Sequence, residues 1–266
     1  MTLAEVFAKA RADGRAALVG YLPAGFPSRE GSVAALAAMA GAGVDVIEVG
    51  LPYSDPLMDG PTIQDAVDRS LAAGTTTTDV LATVAEVART GVPTLVMTYW
   101  NPVEQYGVER FATDLAAAGG AGVITPDLTL EEAGPWLAAA DAAGIAPVFV
   151  VAPSSTDDRL ARVTRSCRGF VYAASTMGVT GTRERVSDRA PTLVDRVRGV
   201  TALPVAVGLG VSNGAQAARV AGYADGVIVG SAFVRRLLDA PDLTGGLAAI
   251  RALTAELAAG VRHPAR

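Results

Sequence analysis

The sequence predicts an α/β fold, a single (β/α)8 barrel over residues 1–266, and three observations carry that expectation. The chain has 266 residues, 50% of them hydrophobic, which suits one barrel core of about 250 residues. Short apolar runs alternate eight times with longer Ala-rich segments of helical period. Several helix-to-strand junctions repeat one glycine-containing phrase, the trace that a series of βα units leaves in a sequence.

The candidate strands, in order, are ALVGYL (17–22), VDVIEVG (44–50), TLVMTY (94–99), GVITP (122–126), PVFVVA (147–152), GFVYAA (169–174), PVAVGL (204–209) and GVIVG (226–230). They are continuously apolar rather than alternating, as parallel strands covered on both faces are. Ser or Thr caps followed by acids start helices at 29–41 (PSRE) and 157–166 (SSTDDR). The phrases AGAGVDVI, AGGAGVIT, AAGIAPVF and GYADGVIV each place a glycine where a helix needs a left-handed C-cap before the next strand. No linker, charge run or low-complexity block divides the chain, and the count of eight favours a closed barrel over an open doubly wound sheet.

Composition narrows the function. A net charge of -5 and a pI near 5.0, with basic residues scattered, argue against a nucleic-acid surface or a membrane patch. Charges interrupt the N-terminal segment where a signal peptide would carry its apolar core, and no later apolar span reaches about 18 residues, so the chain reads as cytoplasmic. The single Cys167 cannot form an internal disulfide, and neither it nor the lone His263 has the companions of a zinc site, so no metal is expected. One histidine, in what reads as a frayed tail, excludes histidine triads. Acid/base work falls to carboxylates, tyrosines or the single lysine, Lys9; Lys9 and His263 themselves read as solvated surface positions.

The stretch IEVGLPYSDPLMDGPT (47–62) places Glu48 inside an apolar run. A buried carboxylate is costly, so Glu48 is either compensated by neighbours or kept for chemistry. Functional groups of a parallel barrel gather at the carboxyl ends of its strands. Glu48, at the end of the second strand, and Asp59, in the loop that follows, bring two carboxyl groups to one mouth, an arrangement suited to general acid/base chemistry. Spacing leaves plainer readings open: a glutamate bound to backbone or tyrosine, an Asp-Gly turn at 59 and 60, and a turn aspartate at Asp55 before Pro56. Pro52, Pro56 and Pro61 keep this loop non-helical but stiff.

Late in the chain, VGLGVSNGAQAA carries Gly208 and Gly210, and VIVGSAFVRRL carries Gly230 and Ser231, each before a helix. Backbone amides at helix starts, approached closely beside glycine, form a phosphate site, and loops after the seventh and eighth strands are where barrels often hold phosphate. Between them, YAASTMGVTGTRERVSD (172–188) offers hinge glycines at 178 and 181 for a lid, or is a solvated connection.

These residues resemble a known family. GYLPAGFP, DVIEVGLPYSDPLMDGPTIQ, MTYWNP, TPDLTLEEA, APSSTDDR, GVTGTR and VGLGVS followed by DGVIVGSA are similar, in order and along nearly the whole chain, to the tryptophan synthase alpha subunit. The resemblance implies a TIM barrel with extra short helices that cleaves indole-3-glycerol phosphate to indole and glyceraldehyde 3-phosphate by a retro-aldol reaction. It implies Glu48 as the acid/base and Asp59 as partner of the indole N–H. Tyr172 would support the glutamate, while Tyr21, Met97, Ile124, Val150 and Leu209 line the indole pocket. Phosphate goes to Gly181, Gly210, Gly230 and Ser231, and Thr180 is the lid threonine that closes against the Asp59 loop.

The same resemblance implies a heterotetramer with a beta subunit that receives indole through a tunnel. Asp55 lies in the coupling loop, and Pro56, Asn101 and Pro102 face the partner. The pyridoxal phosphate cofactor belongs to that partner, and none is expected in this chain. Tyr21 and Tyr53 stand where phenylalanine is usual, Gly20 where proline is usual, Met58 where alanine is frequent and Leu209 where phenylalanine is frequent, while Met177 precedes Gly178 in the lid. These departures bear on pocket fit and loop dynamics rather than on reaction type. A free-standing lyase of the same fold and a mainly activating, protein-binding subunit stand as rival expectations.

Overall fold

Each of the apolar runs forms a strand, and the strands hydrogen-bond in chain order into a closed parallel barrel from β1 through β8 and back to β1. In this computed structural model, which describes residues 1–174, 189–208 and 210–265, the strands are β1 Ala17–Pro23, β2 Val46–Gly50, β3 Thr94–Met97, β4 Gly122–Thr125, β5 Ala146–Val151, β6 Val171–Ala174, β7 Val205–Gly208 and β8 Gly226–Val229. The helices are α1 Leu3–Ala12, α2 Arg29–Ala42, α3 Pro61–Ala72, α4 Thr77–Ala88, α5 Trp100–Tyr106, α6 Val108–Ala117, α7 Gly134–Ala143, α8 Asp157–Ser166, α9 Arg189–Arg198, α10 Gly214–Ala221, α11 Ser231–Leu238 and α12 Leu243–Arg262. Beyond one helix per crossover, α1 precedes the barrel, and extra helices follow β2, β3 and β8.

The two caps expected from PSRE and SSTDDR are present. Ser28 accepts from the Gly31 amide at the start of α2, and Thr156 accepts from the Arg159 amide at the start of α8. The junction glycines divide into two kinds. Gly43, Gly119 and Gly144 hold φ of +115°, +80° and +69°, the left-handed exits expected of them. Gly222 does not: its φ is -66°, and a β-carbon there would run into the Ala265 carbonyl. Its smallness admits the C-terminal segment, which is not frayed. His263 is exposed but caps α12, and the Ala265 amide donates to the Ala218 carbonyl at 2.9 Å.

The barrel interior is one apolar cluster that includes Val19, Val46, Leu95, Ile124, Val148 and Tyr172. Phe7 of α1 joins it, its ring tilted and 5.2 Å from that of Phe170 and beside Gly226, so α1 closes the amino-terminal end. At that end Asp45 and Asp225, just before β2 and β8, accept from the Leu18 and Val205 amides at 2.8 and 2.9 Å. Arg15 forks onto Asp45 at 2.7 and 2.9 Å, and Arg11 and Arg198 pair with Asp225 at 3.5 and 3.2 Å. A cleft of about 220 Å³ opens beside these groups, with its charges already paired. The opposite, carboxyl-terminal end is left to carry the chemistry.

Candidate active site

Glu48 sits in the middle of β2, in register with Tyr21 of β1 and Leu95 of β3. It is 0% exposed, and among the described residues neither carboxyl oxygen has a hydrogen-bond partner. Of the two readings open at the level of sequence, the described residues offer no compensating hydrogen bond and leave the one in which Glu48 is kept for chemistry. Burial alone pushes its pKa up to about 8, so the side chain carries a proton at neutral pH.

Asp59 lies in the loop between β2 and α3, 8% exposed. The Tyr99 hydroxyl donates to its Oδ1 at 3.3 Å and accepts from the Met58 amide at 3.0 Å. Burial raises the Asp59 pKa to about 6, the Tyr99 hydrogen bond working against it, so Asp59 is mostly ionised at neutral pH. The loop is folded over the mouth: Met58 packs on the barrel-interior cluster, and Gln64 Nε2 donates back to the Asp59 carbonyl at 2.7 Å. Both carboxyl groups act on the phenols of Tyr21 and Tyr172, which burial first, and then these charges, push well up. One mouth thus holds a protonated and an ionised carboxyl group, the division of labour that acid/base catalysis uses.

The two tyrosines rest on glycines in, or just after, the strands that flank them. A β-carbon at Gly50 would lie 2.7 Å from Tyr21 Cζ, one at Gly230 3.0 Å from Tyr21 Cδ1, and one at Gly208 2.9 Å from Tyr172 Cζ. Gly208, which the sequence suggested for a phosphate turn, also makes room for the Tyr172 ring. Met97 is in register with Gly50 on one side and Ile124 on the other, and Val150 with Tyr172; all three belong to or pack on the interior cluster. Their apolar wall beside Glu48 suits a flat hydrophobic ring.

Two late turns follow β7 and β8. Gly210 holds φ +69°, a left-handed conformation that suits glycine. Gly230 caps α11 with no side-chain hydrogen bond, leaving first-turn amides beside buried Ser231 for an anion. At α10, by contrast, Asn213 already caps the Gln216 amide at 2.9 Å. Thr180, Gly181 and Leu209 lie outside the described residues, as do the hinge at Gly178 and the departure at Met177.

Around the rim, Asp55 and Asn101 are exposed and Pro56 and Pro102 half-buried. Ser54 Oγ donates to Asp55 Oδ2 at 2.6 Å, so the plain reading of Asp55 as a turn aspartate has a contact behind it. Leu57, 70% exposed, is an apolar rim residue that sequence reasoning passed over. So was Tyr99: it sits inside the quoted MTYWNP, but only the fold brings its hydroxyl to Asp59, 40 residues away. Among the described residues no group of His, Cys, Asp or Glu could hold a metal ion, and no helix is long and apolar enough to cross a membrane.

Known proteins place this geometry in context. The family profile described as tryptophan synthase alpha chain matches residues 7–261. The tryptophan synthase alpha chain of Thermobifida fusca is 63% identical over 262 residues, covering 97% of each chain. That of Salinispora arenicola is 66% identical over 259 residues, again 97% of each. A solved structure of Mycobacterium tuberculosis tryptophan synthase superposes with a TM-score of 0.92 at 57% identity, covering 98% of both chains.

Proposed function

This chain belongs to the tryptophan synthase alpha chain family and is a lyase that cleaves indole-3-glycerol phosphate to indole and glyceraldehyde 3-phosphate in tryptophan biosynthesis; from that premise we propose that Glu48 and Asp59 carry the reaction. The observation that supports this most is the pair of buried carboxyl groups at one mouth, Glu48 with its pKa raised to about 8 and Asp59 to about 6.

In this reading the indole ring lies against Tyr21, Met97, Ile124, Val150, Tyr172 and Leu209. The phosphate rests on Gly181, Gly210, Gly230 and Ser231, and Thr180 closes toward the Asp59 loop. Glu48 enters protonated and gives its proton to the ring carbon that bears the side chain. The ring becomes a protonated indolenine, a cationic iminium whose N–H is held by ionised Asp59. Glu48, now a carboxylate, takes the proton from the hydroxyl on the carbon next to the ring. That oxygen becomes a carbonyl, the carbon–carbon bond breaks, and its electron pair restores the aromatic indole. Glu48 ends protonated, as it began, so one residue serves both transfers. Low exposure of the site favours this order, since water would otherwise hold both carboxyl groups ionised.

The partner is a beta subunit in an α2β2 complex, met by the rim at Asp55, Pro56, Asn101 and Pro102. The pyridoxal phosphate is the partner's, and this chain needs no cofactor of its own. The setting is the cytoplasm. The experiment is indole release from indole-3-glycerol phosphate by the purified chain, with and without a cognate beta subunit, repeated with Glu48→Gln. Weak release that rises with the partner and disappears in the variant is expected. Fast release without a partner would favour a free-standing lyase, and stimulation of the beta subunit by a chain inactive under all conditions would favour an activating subunit.

A further inference from the structure

Tyr99 is bonded in two directions. Its backbone is the N-cap of α5, so β3 stops at Met97 rather than continuing to residue 99 as its apolar pattern suggests. The next residue, Trp100, has its amide held by both carboxylate oxygens of Asp127 at 3.0 Å, which fixes the turn that presents exposed Asn101 and half-buried Pro102. Its side chain points the other way, into the mouth. There the hydroxyl, 5% exposed at the residue level, donates to Asp59 Oδ1 at 3.3 Å and takes the Met58 amide at 3.0 Å. The Tyr53 ring lies 5.5 Å away and holds the Tyr99 ring from the rim side. The hydroxyl is thus a two-point clamp on consecutive residues of a loop that is otherwise irregular from 51 to 60.

We propose that Tyr99 is a positioning residue for the reaction, holding Asp59 through its hydroxyl and coupling that carboxylate to the turn formed by Trp100, Asn101 and Pro102. The inference rests on the reading of Asp59 as the partner of the indole N–H. A hydroxyl that donates to a carboxylate favours its ionised form and fixes its direction. The titratable groups that share this space are Asp59, Glu48, Tyr21 and Tyr172, and among them Tyr99 contacts Asp59 directly. A change at the turn moves Tyr99, and with it the only side-chain hydroxyl on Asp59 among the described residues.

The test compares Tyr99→Phe, Asp59→Asn and the double variant in the complete alpha chain, with and without the beta subunit. Phenylalanine keeps the ring packing, and a melting curve close to wild type shows that the fold is kept. Tyr99→Phe is expected to lower kcat/KM at neutral pH about tenfold, the worth of one hydrogen bond to a charged group. It also moves the acidic limb of the kcat/KM profile to higher pH, reduces stimulation by the beta subunit, and adds nothing on top of Asp59→Asn. A Tyr99→Phe enzyme with unchanged acidic limb and unchanged stimulation would overturn the proposal while Asp59→Asn remains impaired. An Asp59→Asn enzyme with full activity would instead overturn the reading of Asp59 on which it stands.

Discussion

The hydroxyl end of the Tyr21 ring lies against Gly50 of the neighbouring strand, with no room between them for a side chain. The pairing is diagonal: Tyr21 is in register with Glu48, and its ring leans two residues onward over Gly50. Tyr172 repeats the relationship across the barrel, in register with Ala206 and leaning over Gly208. Each tyrosine is thereby tipped toward the carboxyl-terminal mouth.

Gly50→Ala is expected to displace the Tyr21 ring, since the new carbon would stand 2.7 Å from Cζ in a fully packed interior. Overpacking of this kind costs about 1–3 kcal/mol. The KM for substrate rises because the ring wall moves. Tyr21→Phe removes the hydroxyl, the atom nearest the new carbon. Thermal unfolding of the Gly50→Ala, Tyr21→Phe double variant should therefore show a smaller loss than Gly50→Ala alone; equal losses would mean that the clash lies elsewhere.

Glu48→Gln separates catalysis from stability. Loss of the acid/base is expected to lower kcat by about 10²- to 10⁴-fold. Folding moves the other way. A pKa raised from 4.5 to about 8 means that the folded chain binds the Glu48 proton more tightly than the unfolded chain. The stability this proton contributes is full below pH 4.5 and is lost as pH rises through about 8, at roughly 1.4 kcal/mol per pH unit between the two values. Glutamine has no proton to lose. Denaturant titrations should find the variant close to wild type at low pH and more stable at pH 8, and a variant less stable at pH 8 would show that Glu48 is compensated by a partner.

The barrel was readable in the sequence because parallel strands covered on both faces must be apolar throughout, and eight such runs leave few other arrangements. Strand ends were less so. TLVMTY looks like one strand to residue 99, yet the chain leaves the sheet after Met97, because Tyr99 turns to cap α5. Glu48 stood out because an acid in an apolar run has to be explained. The Tyr99 clamp on Asp59 could not be read, since nothing local in a strand-end tyrosine says which residue 40 positions away it will meet. Glycines carried more than one meaning: Gly222 serves the C-terminal segment rather than a left-handed cap, and Gly208, set before a late turn, also makes space for Tyr172.

The pH dependence of kcat/KM follows from the two carboxyl groups having opposite requirements. Asp59 must be ionised to hold the ring N–H, and burial puts its pKa at about 6, so activity is lost as pH falls through that value. Glu48 must enter protonated, and burial puts its pKa at about 8, so activity is lost as pH rises through that value. A bell with its maximum near neutrality is expected. Asp59→Asn should remove the acidic limb and leave the alkaline one. Loss of the alkaline limb instead would reverse the roles of the two residues.

Phosphate binding can be probed at Gly210, where geometry and charge make separable contributions. At φ +69° any side chain strains the backbone, by roughly 1–2 kcal/mol, so Gly210→Ala is expected to weaken binding modestly through a shifted turn. Gly210→Asp adds no more strain, because aspartate tolerates left-handed backbone better than alanine, and it places a negative charge in the turn on which the phosphate is proposed to rest. Repulsion between two anions is screened by salt, whereas backbone strain is not. Calorimetric titration with glycerol phosphate should therefore show Gly210→Asp binding far more weakly than Gly210→Ala at low ionic strength, with the gap narrowing as salt is added. Equal losses in the two variants at every salt concentration would place the phosphate away from this turn.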